Sequence, residues 1–194
     1  MPKPLPQADI AIVVRARNGD RNAHAELYAL YAPGVFTLAR RLLASRALAE
    51  DALQETFVEV LRKIGTCRDE SLIGFWIKRI AINKCLANLR SFWVSRRSPD
   101  GDELIPFERA RNTPADEALA LERALDALPA TARVVVWLHD VEGCTHKEIG
   151  ELMGRTTSFS KSQLARAHER LRTLLEEPIT DHGHDLCTAE PKIC

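Results

Sequence analysis

A chain of 194 residues, 45% hydrophobic and 28% charged, has the apolar content of a packed core, which excludes a wholly disordered chain and a fibre. No stretch approaches the roughly 18 uninterrupted apolar residues of a membrane span. The opening Met1-Pro-Lys-Pro-Leu-Pro lacks a signal peptide's apolar segment, so a cytoplasmic chain without membrane insertion is expected. The five cysteines (67, 85, 144, 187 and 194) are odd in number and unpaired in spacing, which argues against a secreted disulfide framework. The 27 basic and 27 acidic groups cancel overall but not locally: residues 1–97 carry +7, 98–114 and 115–176 carry −2 each, and 177–194 carry −3.

Leu27, Leu30, Tyr31, Val35, Leu38 and Leu42 recur at three- and four-residue spacing, which predicts a helix from about 22 to 44. Leu53, Phe57, Val60, Leu61 and Ile64 repeat the pattern in a second helix, from near Ala47 to Gly65, with Glu50, Asp51 and Glu55 toward its start, where the helix dipole favours acids. A third, about 72–93, is apolar on more than one side (Trp76, Ile77, Ile80, Ile82, Leu86, Leu89) and is expected to lie between neighbours. From Leu72 to Arg97 the chain holds Lys78, Arg79, Lys84, Arg90, Arg96 and Arg97 and no acid, interleaved with Phe75, Trp76, Phe92 and Trp93. A basic stretch studded with aromatic rings suits a phosphate backbone and unstacked bases.

Residues 98–114, with Pro99, Gly101, Pro106, Pro114 and four acids, read as a flexible linker. Helical spacing returns with Ala118, Leu121, Leu125 and Leu128, halts at Pro129, and resumes through Val134–Leu138 to Val141. The triple valine there also fits a strand. Helix is preferred, because no second strand is at hand to pair its backbone. Thr145 and Glu148 form a capping-box pattern, Gly154 closes that short helix, and the turn Arg155-Thr-Thr leads to another with apolar positions Leu164, Ala167, Leu171, Leu174 and Leu175. This is a helix-turn-helix pattern, and its second helix region, 155–172, carries a local +4. The fold class is therefore all-α: a three- or four-helix domain over 8–97, the linker 98–114, a helix-turn-helix domain over 115–176, and a His/Cys-containing tail over 177–194.

Two blocks resemble one family. Gly19-Asp-Arg-Asn-Ala-His-Ala-Glu-Leu-Tyr28, Ala49-Glu-Asp-Ala-Leu-Gln-Glu-Thr-Phe57, Phe75-Trp-Ile-Lys-Arg-Ile-Ala-Ile-Asn83 and Leu89-Arg90 are similar to region 2 of the extracytoplasmic-function (ECF) sigma factors. Leu128-Pro129, Asp140-Val-Glu-Gly143, Lys147-Glu-Ile149 and Lys161–Ala167 through Leu171-Arg172 resemble their region 4. The resemblance implies an alternative specificity subunit of bacterial RNA polymerase, in which region 2 holds core and opens the promoter minus-10 element and region 4 reads the minus-35 element. By family position Asp51, Gln54 and Glu55 would engage the beta-prime clamp helices, with the beta flap as a further contact of core. The loop 67–75 would take an extruded base, and Lys78, Arg79, Asn83 and Arg90 would touch the separated strand. Trp76 fits either base stacking or the core. For the minus-35 element, Arg155 and Lys161 would serve phosphates, with Ser158, Phe159, Ser162 and Gln163 toward base edges; Arg166 fits a phosphate or a surface ion pair better than a base. The chain departs from the usual pattern at Arg155, Ser160 and Gln163, where an aliphatic residue, valine and arginine are more common. The resemblance also implies sequestration by an anti-sigma factor as one mode of control.

A helix-turn-helix regulator working without polymerase is the alternative, but it leaves the Asp51–Gln54 surface and the basic aromatic stretch unused. Catalysis is not expected: His139, Asp140, His146 and Glu148 invite a hydrolytic or metal cluster, yet the capping box accounts for Glu148, and no phosphate loop or nucleophile elbow is present. In the tail, His182, His184, Cys187 and Cys194 are ligand types for zinc or copper in a spacing that matches no known site, so neither metal nor cofactor is assigned.

Overall fold

The computed structural model describes residues 5–95 and 117–176, the side chains of 92–95 and 117–119 excepted. The expected linker 98–114 and tail 177–194, with its four candidate metal ligands, lie outside the described residues. Within them the chain is helical, without strands.

The first four helices are α1 (Ile10–Arg17), α2 (Arg21–Leu43), α3 (Arg46–Lys63) and α4 (Ile73–Ser95). Asp9, Asp20 and Ser45 cap the first three by accepting backbone N–H bonds, so each start satisfies donors a helix cannot pair internally. The helices expected near 22–44, 47–65 and 72–93 are α2, α3 and α4. Helix α3 ends two residues earlier than expected, and Ile64–Thr66 tighten into a 3-10 turn. Helix α1 was not legible in the sequence. Its Ile10-Ala-Ile-Val-Val14 run is β-branched and lacks helical spacing, and only Val13 and Ala16 are buried; the Asp9 cap and packing on α2 set it.

Helices α2 and α3 pack on one another, and Leu27, Tyr31, Val35 and Leu42 of the first and Ala49, Ala52, Phe57 and Val60 of the second are buried. Leu61, expected on that apolar face, is 39% exposed, because α3 turns its Ala49–Ala52–Val60 side to α2 and α4. Helix α4 packs against α2 and α3 on one side and α7 on the other, as its all-round apolar pattern requires. Ile77, Ala81, Cys85 and Leu89 are buried in it.

The second unit comprises α5 (Glu117–Asp126), α6 (Ala130–Val136), a π-helical turn Trp137–Val141, α7 (His146–Met153) and α8 (Thr157–Glu176). The triple valine is helical, and Val134, Val135 and Val136 are all buried. Leu121 and Leu175, both expected on apolar faces, are about half exposed, since α5 packs chiefly on α8 and leaves part of both faces open. Arg133 is buried at the α5–α6 corner, where its Nη1 donates to the Asp126 and Leu128 carbonyls, both at 3.4 Å. Burial pushes its guanidinium down from the ordinary value and the Asp126 carboxyl up.

The helix-turn-helix geometry depends on two glycines. Gly154 adopts φ 65°, in the left-handed region that ends α7 without steric cost. Gly150 is a matter of space: a Cβ there would lie 2.9 Å from the Arg155 carbonyl oxygen, in backbone that cannot swing aside. Gly150→Ala is therefore expected to destabilise the fold by about 1–3 kcal/mol. Calorimetric melting of the full chain checks this, with Gly65→Ala, where a Cβ meets nothing within 4 Å, as the neutral comparison.

Candidate polymerase and nucleic-acid interfaces

On α3, Asp51, Gln54 and Glu55 stand on adjacent turns and all three are exposed, so one face presents them together. The next turn of the same face carries Val58, 68% exposed, with Leu61 beyond it. A valine left in water forgoes about 1.5 kcal/mol of burial free energy. Val58 was not singled out from the sequence; its position four residues after Gln54 was the available signal. Lys84 of α4 reaches Glu55 at 3.9 Å at the edge of this face.

The loop between α3 and α4 is fixed by a residue the sequence did not point to. Arg17 of α1 donates to the Cys67 carbonyl at 2.6 Å and pairs with Glu70 at 2.7 Å. Asp69 accepts from both the N–H and the hydroxyl of Ser71, which holds its carboxyl below the usual carboxylate value. A cavity of about 550 Å³ opens beside this loop, between Ser71, Leu72 and Phe75 on one wall and Leu5, Pro6 and Gln7 on the other. The N-terminal wall is tied down by the Ala8 N–H, which donates to the Tyr31 hydroxyl at 3.1 Å. Phe75 is 68% exposed, its ring free to be stacked upon, whereas Trp76 is half-buried against the core.

Helix α4 turns Arg79, Asn83 and Arg90 outward. Lys78 is not free: its Nζ meets Glu142 Oε2 at 2.7 Å, and Arg90 donates to the Leu152 carbonyl at 3.3 Å. Cys85, in the middle of the helix, is fully buried, which pushes its thiol up to about 12. Cys67 and Cys144 are also raised by burial, so none of the three is an activated thiol.

In the second unit, Ser158, Lys161, Ser162 and Arg166 are exposed along one side of α8, and Gln163 is half-buried beside them. Phe159 packs into the core with the Arg155 guanidinium 5.5 Å above its ring. The Thr156 hydroxyl accepts from the Phe159 N–H at 3.1 Å and so caps α8. Ser160, where the family more often has valine, is buried and hydrogen-bonded to His146 Nδ1 at 3.0 Å. The unusual serine thus has a polar partner on α7. Asp140 joins the π-helical turn to α8 through His168 at 2.7 Å and also bonds its neighbour His139 at 2.7 Å; burial opposes its ionisation, but the two hydrogen bonds hold its carboxyl low. His139 stacks on His146 at 4.6 Å. Glu148 is spent on the capping box, and among the described residues no cluster of His, Cys, Asp or Glu has the arrangement of a metal site.

The described residues thus combine a helix bundle that has an acid-tipped face and an acid-free basic helix with a following helix-turn-helix. Sigma-70 region 2 matches residues 27–93, and Sigma-70 region 4 matches 118–171. The chain is 34% identical to RNA polymerase sigma factor CarQ of Myxococcus xanthus, over 84% of this chain and 95% of that one. It is 31% identical to the ECF RNA polymerase sigma factor SigM of Mycobacterium tuberculosis (strain Erdman), over 81% and 79%. The fold is similar to sigma factor RpoE in complex with the anti-sigma factor NepR from Bartonella quintana, with TM-score 0.55 at 23% identity, covering 78% of this chain and 95% of that one. The chain belongs to the ECF sigma factors, and it is an alternative sigma factor that directs RNA polymerase in transcription initiation. No helix among the described residues is long and apolar enough to cross a membrane.

The Glu148 carboxyl, which accepts from the backbone and then the hydroxyl of Thr145, lies below its ordinary 4.5. A depressed carboxyl contributes stability above its unfolded value and loses it as pH falls through the folded one. Glu148→Gln is therefore expected to flatten the loss of thermal stability on acidification from about pH 5 toward pH 3. Melting temperatures of both chains across that range measure the difference.

Proposed function

We propose that the chain uses its first unit, residues 8–97, to hold core RNA polymerase and open the minus-10 element, and its second, 115–176, to read the minus-35 element across the linker 98–114. The observation that supports this best is the placement, within one small bundle, of the exposed Asp51–Gln54–Glu55 face on α3 and the exposed Arg79 and Asn83 on acid-free α4. An anionic, partly apolar face suits a protein partner, and cationic groups beside an exposed ring suit a melted strand. Asp51, Gln54 and Glu55 bind the beta-prime clamp helices, with Val58 adding apolar contact, while the second unit sits toward the beta flap.

Promoter opening follows from the α4 surface and the neighbouring loop. Arg79, Asn83 and Arg90, joined by Lys78, hold the backbone of the separated strand. An unstacked base enters the cavity beside Phe75, and Trp76 supports the pocket from the core side. On double-stranded DNA, Arg155, Lys161 and Arg166 fix the register of α8 on phosphates. Ser158, Ser162 and Gln163 face base edges, with Phe159 anchoring the start of the helix. The chain performs no reaction of its own and needs no cofactor; polymerase supplies the chemistry. An anti-sigma factor is proposed as a partner, in line with the similar fold of RpoE, solved in complex with the anti-sigma factor NepR. A regulator working without polymerase would have no use for the α3 face.

Run-off transcription of genomic fragments with core polymerase, sequencing RNA 5′ ends, tests this reading. Discrete starts that share two upstream motifs and vanish with Asp51→Arg are the expected result; specific DNA binding without new starts would favour the regulator. Lys78→Glu combined with Arg79→Glu is expected to leave core binding nearly intact and abolish the open bubble. Permanganate reactivity reads that out, and an intact bubble would exclude this role for α4.

A further inference from the structure

The segment that precedes α1 forms one side of the cavity beside Phe75. We propose that Leu5–Ala8 is a fixed wall of the extruded-base pocket and that Gln7 is the residue on it that discriminates which base is taken. This rests on the proposed opening of the minus-10 element and adds the specificity determinant of that site.

Residues 5–8 have no regular structure of their own, and such segments before a first helix are free to fray unless tied down. This one is tied at both ends. Leu5 lies over two helices at once: a Cβ on Gly34 of α2 would collide with its Cδ2, and a Cβ on Gly74 of α4 would stand 3.6 Å from its own Cβ. The two glycines leave the space that Leu5 fills, and Leu5 packs against the core there. Three residues on, Ala8 is buried and its N–H donates to the Tyr31 hydroxyl at 3.1 Å. Between the anchors, Pro6 has its φ fixed by the ring, which narrows the paths the chain can take to Gln7. Pro6 and Gln7 are exposed, and both face the cavity of about 550 Å³. The arrangement holds a polar side chain at the mouth of a pocket, on backbone that burial keeps in place.

An extruded base is held by stacking on apolar or aromatic groups and read by hydrogen bonds to its Watson–Crick edge. The wall opposite Gln7 supplies the first requirement, with Leu72 49% and Phe75 68% exposed. It is poor in the second. The Ser71 hydroxyl donates to Asp69 at 2.6 Å, so its hydrogen is spent and only its acceptor lone pairs face outward. Lys78 is a cation, suited to the phosphate of the same nucleotide rather than to a base edge. Leu5 and Pro6 have no polar side-chain atom. Among the described residues that line the cavity, Gln7 thus offers a donor and an acceptor together, the pair of groups a primary amide uses for bidentate recognition of a base. Bases differ in the order of donors and acceptors along the edge, and that order is what the amide selects.

The test uses the full chain with core polymerase and a promoter found in the run-off assay, each minus-10 position replaced in turn by the other three bases. The unaltered chain is expected to rank the four bases at the extruded position. Gln7→Ala is expected to flatten that ranking about fivefold or more, the lower end for one bidentate pair, and to leave the other positions as they were. Gln7 is exposed, so the variant keeps its melting temperature. Gln7→Glu can only accept, and it is expected to raise the guanine template relative to the other three, because guanine puts two adjacent N–H donors on its Watson–Crick edge. A ranking untouched by Gln7→Ala, a loss spread evenly over every position, or Gln7→Glu ranking bases as Gln7→Ala does would each overturn the assignment while leaving the promoter-opening role in place. No new starts from the unaltered chain on any template would overturn both.

Discussion

Everything in the first unit is arranged around the double obligation of α4. It has to fill the space between α2 and α3 with Ile77, Ala81, Cys85 and Leu89, and it has to carry cations on the remaining surface without one acid of its own. A helix can do both only if its neighbours fix its rotation, because a turn of one residue, about 100°, would bury Lys78 or Arg79 in the core. The buried alanines of α3 and the large side chains of α2 supply that fixing from one side, and α7 meets the helix from the other. Arg17 then ties the preceding loop to α1, so that the start of α4 and the cavity beside it keep their shape together.

Longer helices were legible in the sequence because burial imposes a period on them. Leu27 through Leu42 on α2, and Ile77 through Leu89 on α4, repeat at helical spacing, and the Thr145–Glu148 box marks the start of α7 without any tertiary information. Short or peripheral elements carry no such imprint. Helix α1 buries only Val13 and Ala16, too few positions to set a period, and the π-helical turn Trp137–Val141 differs from an α-turn by one residue per hydrogen bond, a difference without a compositional signature. Leu61, Leu121 and Leu175 were misplaced for the complementary reason: periodicity gives the stripe on a helix but not how far a neighbour covers it.

The candidate interfaces divide along the same line. Exposed polar and charged residues at helical spacing, such as Asp51, Gln54 and Glu55 or Ser158, Ser162 and Arg166, can be placed on one face from spacing alone. Contacts between distant segments cannot. Nothing in the sequence ties Lys78 to Glu142, Arg17 to the loop at Cys67, or Leu5 and Gln7 to the wall facing Phe75, because each depends on where separate helices come to rest. The same holds for Ser160, which reads as a departure from its family and turns out to be half of a hydrogen bond with His146.

The segregation of charge along a chain with no net charge has its own consequence for how the protein travels. A body without a monopole is neither drawn to nor repelled by DNA at long range, and at physiological salt its local fields fade within about 8 Å. Basic and acidic ends then matter only at near contact, where they set orientation rather than the rate of encounter. Its cations act at near contact, as a grip rather than a lure.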